Sequence, residues 1–324
     1  MESLYSKSVF KRHPGNPVLS PKDFPGADAV FNCGQTWYQG QPLLLVSVLH
    51  KSGYYRGVRG ATSHVARTED GLNFVIDPEP FLQKDGDPLY GPIDNHPIDT
   101  RITRLGDTYY IIHPSSGEWG TFGILGKTTD FKHHEYVEII SLPDNRVPCL
   151  FPEKIGGVYW RLDRPYRVGP HNHHEMGNIW ICQSPDLIHW GRYRPLLRAG
   201  FAFWANEKIG PVPPVKTPEG WLVLIHGVSS SCSGSIYRLG AMLLDLDDPT
   251  KVIGRTTTPL LSPDALSEQC GRVPNVVFAC GLLCDIKKNQ LSLYYGCADT
   301  SIGLATADLD TVISLCKDEG DMGW

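Results

Sequence analysis

The segment Cys182-Gln-Ser-Pro-Asp186-Leu187 leads from a strand-like run into a polar turn at an aspartate. The same pattern recurs four times elsewhere, at Asp70, Asp130, Asp248 and Asp308. Successive aspartates are separated by 60, 56, 62 and 60 residues. Because a near-constant interval of this size is typical of repeated supersecondary units, the pattern predicts five β-propeller blades with about four strands each.

The rest of the chain favours strands over helices. Runs such as Thr108-Tyr-Tyr-Ile-Ile-His113 are β-branched and aromatic and are interrupted by Gly, Pro, Asn and Asp. The 324 residues are 41% hydrophobic and include 33 Gly and 26 Pro, which suits a large core and many tight turns. We therefore expect an all-β fold: one five-bladed β-propeller over residues 1–324 with a central funnel-shaped active site, an N-terminal extension at 1–30 and a C-terminal tail at 315–324. The alternative is a pair of β-sandwiches without symmetry.

Composition argues against several classes of partner. The formal net charge is −5 and the basic residues are scattered, so we expect no nucleic acid. The N-terminus has no apolar stretch typical of a signal peptide, and no apolar run approaches the length of a membrane span. The nine cysteines are an odd number and lie in apolar stretches such as Val277-Phe-Ala-Cys280-Gly281, which predicts reduced, buried thiols in a cytoplasmic protein.

Two groups of potential metal ligands stand out, and we expect neither to bind metal. Cys280 and Cys284 have no second Cys or His pair nearby. The sequence His171-Asn-His173-His174-Glu175 has no helical His pair, and neighbouring residues in a strand point in opposite directions, so a solvated loop is favoured. The predicted chemistry requires neither a metal nor an organic cofactor.

One acid and four cations form the candidate site. Asp99 lies just before a strand-like stretch and is the candidate general acid, with Arg101 to orient it or to contact sugar. Arg146 and Arg164 carry planar forks that match phosphate oxygens. Lys208 lies in a Gly- and Pro-rich loop, and His226 ends an apolar strand.

Each of these residues also has a structural interpretation. Asp99 and Arg101 could form a turn pair, and the two arginines could be surface partners of residues such as Asp163. His226 could be a core histidine. Asp299, at the end of another strand, could be a turn aspartate. Together, however, the residues suit cleavage of a glycosidic bond by phosphate, because one acid protonates the leaving oxygen while cations hold a dianionic nucleophile.

The order and spacing of several segments resemble those of glycoside hydrolase family 130, which comprises mannoside phosphorylases and related β-mannosidases. The resemblance covers nearly the whole chain. Its most specific segments are Ile98-Asp-Thr-Arg-Ile-Thr103, Leu150-Phe-Pro-Glu-Lys154, Gly177-Asn-Ile-Trp-Ile181 with Ser184-Pro-Asp-Leu-Ile-His-Trp-Gly191, and Glu207-Lys-Ile-Gly210. Another matching segment is Tyr294-Tyr-Gly-Cys-Ala-Asp299. The family fold is a five-bladed propeller, in agreement with the repeat.

The resemblance implies inverting phosphorolysis of a β-mannoside to α-mannose 1-phosphate, and the reverse synthesis. Asp99 matches the sole acid, which acts through a hydroxyl of the mannosyl ring. Inorganic phosphate, as co-substrate, matches Arg146, Arg164, Lys208 and His226. The candidate sugar-binding residues are Arg59, Asp299, Arg101 and Asp163. Two departures from the family pattern are Thr100, where proline is usual, and the segment 166–174, which we expect to line the acceptor site.

Alternative functions stay open at this stage. The substrate is expected to be a β-1,4-mannooligosaccharide or mannosylglucose, and β-1,2-mannosides are the alternative. A hydrolase would need a second carboxylate to activate water, with Glu153, Glu207 and Glu268 as candidates. A non-catalytic propeller would bind mannosides without turnover. The expected partners are small molecules, with a homo-oligomer as a further option.

Overall fold

A computed structural model describes residues 8–55, 58–84, 87–166, 177–232 and 234–320. Strand β1 (Lys11–Arg12) precedes the first of five antiparallel sheets, which form a ring of five blades. The strands of the first two blades are β2 (Ala27–Tyr38), β3 (Gln41–His50), β4 (Tyr54–Tyr55), β5 (Val58–Arg59), β6 (Thr62–Arg67) and β7 (Val75–Ile76), then β8 (Arg101–Leu105), β9 (Thr108–Gly117), β10 (Gly120–Thr128) and β11 (Glu135–Ile139). Strands β4 and β5 form a small separate hairpin. The predicted all-β propeller is confirmed.

The other three blades repeat the antiparallel order. Their strands are β12 (Cys149–Leu150), β13 (Tyr159–Asp163), β14 (Ile179–Ser184) and β15 (Gly191–Leu197), then β16 (Lys208–Pro211), β17 (Val215–Thr217), β18 (Gly220–Ser231), β19 (Gly234–Leu244) and β20 (Val252–Arg255), then β21 (Val277–Phe278), β22 (Leu283–Asp285), β23 (Gln290–Cys297) and β24 (Ser301–Asp308). The helices are α1 (Leu266–Gln269) and α2 (Leu309–Gly320), with 3₁₀ turns at Pro21–Asp23, Phe203–Ala205 and Ile286–Lys288.

The N-terminal segment closes the ring. Strand β1 pairs antiparallel with β24, so that Lys11 lies opposite Thr306, and the last blade gains its outer strand from the start of the chain. The predicted extension at 1–30 therefore includes a structural strand and the first residues of β2. The predicted tail at 315–324 begins inside α2, whose buried Val312, Ile313 and Cys316 pack into the core shared by the last two blades.

The first strand of each blade begins, and the second strand ends, at the same face of the ring, which we call the upper face. The third strand then runs to the opposite, lower face. Buried aliphatic and aromatic side chains fill the spaces between neighbouring blades; one such cluster joins Ile209 and Trp221 of the fourth blade to Leu162 of the third. Apolar packing between blades thus leaves the upper end of the central axis available for polar side chains.

The repeated aspartates lie at the lower face, but only three share one geometry. Asp70, Asp130 and Asp186 follow the third strands of their blades, and one carboxylate oxygen of each accepts the backbone N–H groups two and three residues later at 2.8–2.9 Å. In the fourth blade Asp245 takes this role in place of Asp248. Asp308 ends β24 and leads directly into α2, so the predicted turn is a helix start there.

None of the helices in the described ranges is long and apolar enough to cross a membrane. All nine cysteines carry free thiols, and six of them are buried as predicted. Cys284 is half-buried, and Cys232 and Cys270 are exposed, so the predicted burial is wrong for these two. Within the described part of the chain, His, Cys, Asp and Glu side chains form no group of three with a metal-binding arrangement. The segment His171–Glu175 lies outside the described residues.

Candidate active site

A cavity of about 270 Å³ lies at the upper face and collects residues from all five blades. Among the described residues, its ionisable side chains are those of Asp99, Asp299, Arg146, Arg164, Lys208 and His226, together with the phenol of Tyr237. Asp99, Arg146 and Lys208 lie at or just before the first strands of their blades, and Arg164, His226 and Asp299 lie near the ends of second strands. Strand direction therefore brings Asp99 and Asp299, which are 200 positions apart in sequence, into one cavity.

Asp99 is the buried acid of this cavity. Only 2% of the residue is exposed, and its backbone has a φ of +55°, a region that non-glycine residues rarely occupy. The Asn32 side chain donates to Oδ1 at 2.8 Å, and the Arg146 guanidinium donates to Oδ2 at 3.2 and 3.3 Å. Burial raises the pKa of Asp99, but the positive charges of Arg146 and Arg101 outweigh burial, so its pKa lies below the usual value.

The backbone around Asp99 is held from behind. The Ser47 hydroxyl accepts the Asp99 N–H at 3.2 Å, and the Arg101 guanidinium donates to the Asp99 carbonyl. Thr100, which stands where the family usually has proline, is fully buried. Its hydroxyl donates to the Leu45 carbonyl at 3.3 Å and accepts the Gly34 N–H at 3.2 Å. These hydrogen bonds tie the acid to β2 and β3 without a proline ring.

Cations crowd the other side of the cavity. Arg164 is 5% exposed, and its Nε has no hydrogen-bond partner in the described part of the chain. Burial and the neighbouring Arg146 lower the pKa of Arg164 to about 10, which leaves it charged at neutral pH. The Lys208 ammonium lies 5.5 Å from the centre of the Tyr237 ring. Because a buried cation without a compensating anion is costly, this arrangement favours an anionic ligand.

His226 lies beside these cations but is itself neutral at neutral pH. Burial and then the charges of Arg164, Arg101 and Lys208 hold its pKa well below the usual value. Its Nδ1 has no partner among the described residues, and its ring packs 4.8 Å from that of Phe278. A Cβ on Gly210 would lie 2.3 Å from the imidazole, so the glycine of the Glu207–Gly210 motif provides the space for the ring.

Asp299 is the second carboxylate among the described residues that line the cavity. It lies in the turn between β23 and β24, where Ala298 and Asp299 both have a φ of +48°. Burial and the nearby charge of Asp99 raise its pKa to about 6. This carboxylate thus titrates close to neutral pH and faces the same space as the acid.

Two of the predicted sugar-binding residues lie outside this cavity. Asp163 is 1% exposed, and its carboxylate accepts two hydrogen bonds from Arg161 at 2.8 Å, so it has a structural partner and no access to substrate. Arg101 lies behind Asp99 and Phe278 and supports the acid, which corrects its expected contact with sugar. The Arg59 backbone belongs to β5, but its side chain lies outside what the structure describes, as does most of the 166–174 segment.

The glutamates proposed as hydrolytic bases are all engaged elsewhere. Glu268 is fully buried and accepts hydrogen bonds from Arg12 and from the Tyr295 hydroxyl. Glu153 pairs with Lys216 at 2.6 Å on the surface. Glu207 accepts a hydrogen bond from Ser230 and is absent from the cavity lining in the described ranges.

Asn32 is the functional residue that sequence reasoning missed. It lies within the apolar strand β2 with a φ of +38°, at a bulge opposite β3, and holds the acid directly. A Cβ on Gly296 would lie 1.9 Å from its Oδ1, so Gly296 is needed to admit the amide. The only sequence signal was an asparagine followed by Cys33-Gly34 in an otherwise apolar run.

The fold and the site define a five-bladed propeller with a buried acid facing a wall of arginine, lysine and histidine side chains. A family model described as beta-1,4-mannooligosaccharide phosphorylase matches residues 10–318, and the chain belongs to this family, glycoside hydrolase family 130. It is 32% identical over 314 residues to the Beta-1,4-mannooligosaccharide phosphorylase of Ruminococcus albus, covering 96% of this chain and 92% of the relative.

Two further relatives carry a different linkage in their names. The 1,2-beta-oligomannan phosphorylase of a Thermoanaerobacter species is 32% identical and covers 93% of this chain and 98% of its own. The solved structure of the Beta-1,2-mannobiose phosphorylase of Listeria innocua, in complex with beta-1,2-mannobiose, has a TM-score of 0.84 and 30% identity over 96% of this chain and 99% of that one.

Proposed function

We propose that the protein cleaves β-mannosides by inverting phosphorolysis and catalyses the reverse synthesis. The observation that carries this proposal is the pairing of one buried acid, Asp99, with a wall made of Arg146, Arg164, Lys208 and neutral His226. A hydrolase needs a carboxylate base for water, for which Asp299 is the candidate in this cavity, but it has no need for a wall of cations. Phosphate is already a nucleophile and needs cations that desolvate and orient it.

In the forward direction, a phosphate oxygen attacks the anomeric carbon from the α face as the β-glycosidic bond breaks. The Asp99 carboxyl supplies the proton for the leaving oxygen, through a mannosyl hydroxyl on the route that the family resemblance implies. The products are α-mannose 1-phosphate and a sugar shortened by one unit. The new bond to the phosphate oxygen and the broken glycosidic bond are both at the anomeric carbon. The reaction involves no oxidation or reduction.

Phosphate binding prepares the acid for this step. Without phosphate, Arg146 donates to Asp99 and favours its ionised form. A bound phosphate dianion attracts Arg146 and neutralises the local positive charge, which raises the Asp99 pKa and favours the protonated form that an acid requires. Phosphate would therefore be both the nucleophile and the ligand that protonates the acid.

Asp299 is proposed to hold the mannosyl ring by accepting a hydrogen bond from a sugar hydroxyl. It lines the same cavity as Asp99 and lies in the turn between β23 and β24. Asn32, hydrogen-bonded to Asp99, keeps the acid in register with that ring. Arg59 is proposed as a further sugar contact.

We propose a β-1,4-linked mannooligosaccharide or mannosylglucose as substrate. A β-1,2-linked mannoside is the second candidate, favoured by the structural similarity to the Listeria innocua protein. We further propose that inorganic phosphate is the sole co-substrate, that no metal or organic cofactor takes part, and that the protein is a cytoplasmic enzyme, with a homo-oligomeric state to be measured. The chemistry of the reaction supports the absence of a cofactor, because a general acid and phosphate are sufficient to cleave the glycosidic bond.

The test is to incubate β-1,4-mannobiose, β-1,4-mannosylglucose and β-1,2-mannobiose separately with the enzyme, with and without phosphate, and to follow the products by ³¹P and ¹H NMR. We expect α-mannose 1-phosphate from one linkage and no cleavage without phosphate. Equal consumption of a mannoside in phosphate-free buffer would contradict phosphorolysis, and binding without turnover of any substrate would favour the non-catalytic alternative.

A further inference from the structure

A second cavity lies beside the active site, between the fourth and fifth blades. It measures about 420 Å³, and we call it the side groove. The residues that matter here are Phe203, Ile236, Arg238, Asp264, Gln269 and Asn275. Neither the family match nor the similar proteins assign it a role.

The side groove and the central cavity share a wall one strand thick. Tyr237 of β19 lines the central cavity, while its neighbours Ile236 and Arg238 line the side groove, because successive residues of a strand point to opposite faces. The other half of the wall is the 273–276 segment, where Val276 faces the cavity and Asn275 the groove. The Tyr237 N–H donates to the Asn275 carbonyl at 3.0 Å and joins the two halves.

Both cavities lie at the same height on the upper face. In the fourth blade Val228 lies opposite Lys208 on one side and opposite Tyr237 on the other. The groove residues beside Tyr237 are therefore level with Lys208 of the phosphate site. The side groove therefore lies next to the central cavity, on the other side of the Tyr237 wall.

The groove has the chemistry of a carbohydrate site. The Phe203 ring is 49% exposed, and the Arg238 guanidinium lies 5.6 Å from its centre. An amide and a carboxylate, from Gln269 and Asp264, complete a polar rim around this single aromatic surface. One apolar face surrounded by a few hydrogen-bonding groups matches a sugar, which has an apolar face and a rim of hydroxyls.

The aromatic surface is held rigidly. Phe203 begins a 3₁₀ turn in which the next residue, Trp204, is fully buried and donates from its indole to the Thr257 carbonyl at 2.9 Å. Cβ atoms on Gly227 or Gly240 would lie within 2.4 Å of the Trp204 ring, so both glycines are needed for this packing. A rigid ring loses little entropy when a ligand stacks on it.

We propose that the side groove binds the acceptor-side sugar units beyond the first, in a β-manno-oligosaccharide whose terminal mannosyl unit occupies the central cavity. This inference rests on the proposed phosphorolysis. The central cavity, at about 270 Å³, is small for a ligand site and has to hold phosphate as well as the reacting sugar. The units beyond the leaving sugar must lie outside it, and the groove offers them a surface on the other side of the Tyr237 wall.

The experiment compares kcat/KM for a disaccharide with kcat/KM for the tri- and tetrasaccharide of the same linkage. In the wild-type protein we expect the longer substrates to react faster. In Phe203→Ala this advantage should fall by about five-fold, as expected for one aromatic contact, while disaccharide activity stays near wild type. The matched control is Tyr193→Ala, which removes a comparably exposed ring (52%) from the outer strand of the third blade and should leave the ratio unchanged.

A second variant guards against misfolding. Arg238→Met keeps the apolar stem but removes the guanidinium, and it should lower the same ratio; melting temperatures confirm that each variant is folded. An unchanged ratio in folded Phe203→Ala and Arg238→Met overturns the proposal, as does a wild-type enzyme without any gain from chain length. If both variants instead change the oligomeric state measured by light scattering, the groove is a protein interface and the proposal is wrong. Cleavage without phosphate would contradict the proposed function itself. The disaccharide assay alone is enough to detect it, so the two failures can be distinguished.

Discussion

Aspartates at the two faces of the propeller carry the same chemical group in opposite surroundings. At the lower face, Asp130 and Asp186 are solvent-accessible, and backbone N–H groups of their own turns hold the pKa of each carboxyl below its usual range. At the upper face, Asp99 is buried and Asp299 is half-buried among charged side chains from other blades. The lower aspartates stabilise local turns, whereas the upper aspartates depend on the assembled ring and are available to a ligand.

This difference shows why periodicity and chemistry reside in different residues. A turn aspartate needs only its own next three residues, so it can recur in several blades. A catalytic acid needs partners such as Asn32, Ser47 and Arg146, which lie in other blades or strands, and therefore occurs once.

The largest expected effect comes from replacing aspartate by asparagine, once at the upper face and once at the lower face. Asp99→Asn removes the proton donor and should lower kcat for phosphorolysis by roughly 10²–10⁴-fold. Asp130→Asn makes the same change at the lower face and should leave kcat within about two-fold of wild type. Steady-state kinetics with circular dichroism as a fold control decides this, and comparable losses in both variants would refute the assignment.

The second prediction concerns the cations beside the upper acid. Arg164→Lys keeps the charge but loses the planar fork, so KM for phosphate should rise by about ten-fold while mannoside affinity changes much less. The control is Arg194→Lys on the exposed outer strand of the third blade, which should behave as wild type. If KM for phosphate is unchanged in Arg164→Lys, Arg164 serves packing alone.

The third prediction uses the pKa of Asp299, about 6. Below that pH the carboxyl is protonated and loses its strength as a hydroxyl acceptor. Mannoside affinity, measured by calorimetry without phosphate, should therefore fall about ten-fold between pH 7 and pH 5. Asp299→Asn should bind weakly and with little pH dependence; an unchanged pH dependence in that variant would assign the titration to another group.

The smallest effect is on stability at the lower face. Asp130→Ala removes the acceptor for the Lys132 and His133 N–H groups and should lower Tm by about 2 °C without affecting kcat. Because the folded-state pKa of Asp130 is depressed, its contribution is present above the unfolded pKa of about 4 and is lost as the pH falls below it. The Tm difference from wild type should thus shrink in acid, and a constant difference would contradict the ionic origin.

The fold could be predicted from sequence because three of the five repeated turns are local structures with a local signal. Asp248 and Asp308 matched the spacing but not the geometry, since Asp245 replaces the first and α2 follows the second.

The cavity residues Arg146, Arg164, Lys208 and His226 were predicted from residue type and family resemblance. Asn32 could not be, because its role arises from a bulge and from the space left by Gly296 across a blade boundary. Asp163 was misassigned because its partner Arg161, two residues away, is recognised only when both point to the same side of β13.

The central claim is that phosphate, and not water, attacks the anomeric carbon. Its most direct test is to run the reaction in ¹⁸O-labelled water with unlabelled phosphate and to measure the mass of the mannosyl product by mass spectrometry. If phosphate held by the upper-face cations attacks the anomeric carbon, the product is mannose 1-phosphate without ¹⁸O. Free mannose carrying one ¹⁸O atom at its anomeric carbon from the first turnovers would show that water attacks instead, and would contradict the account.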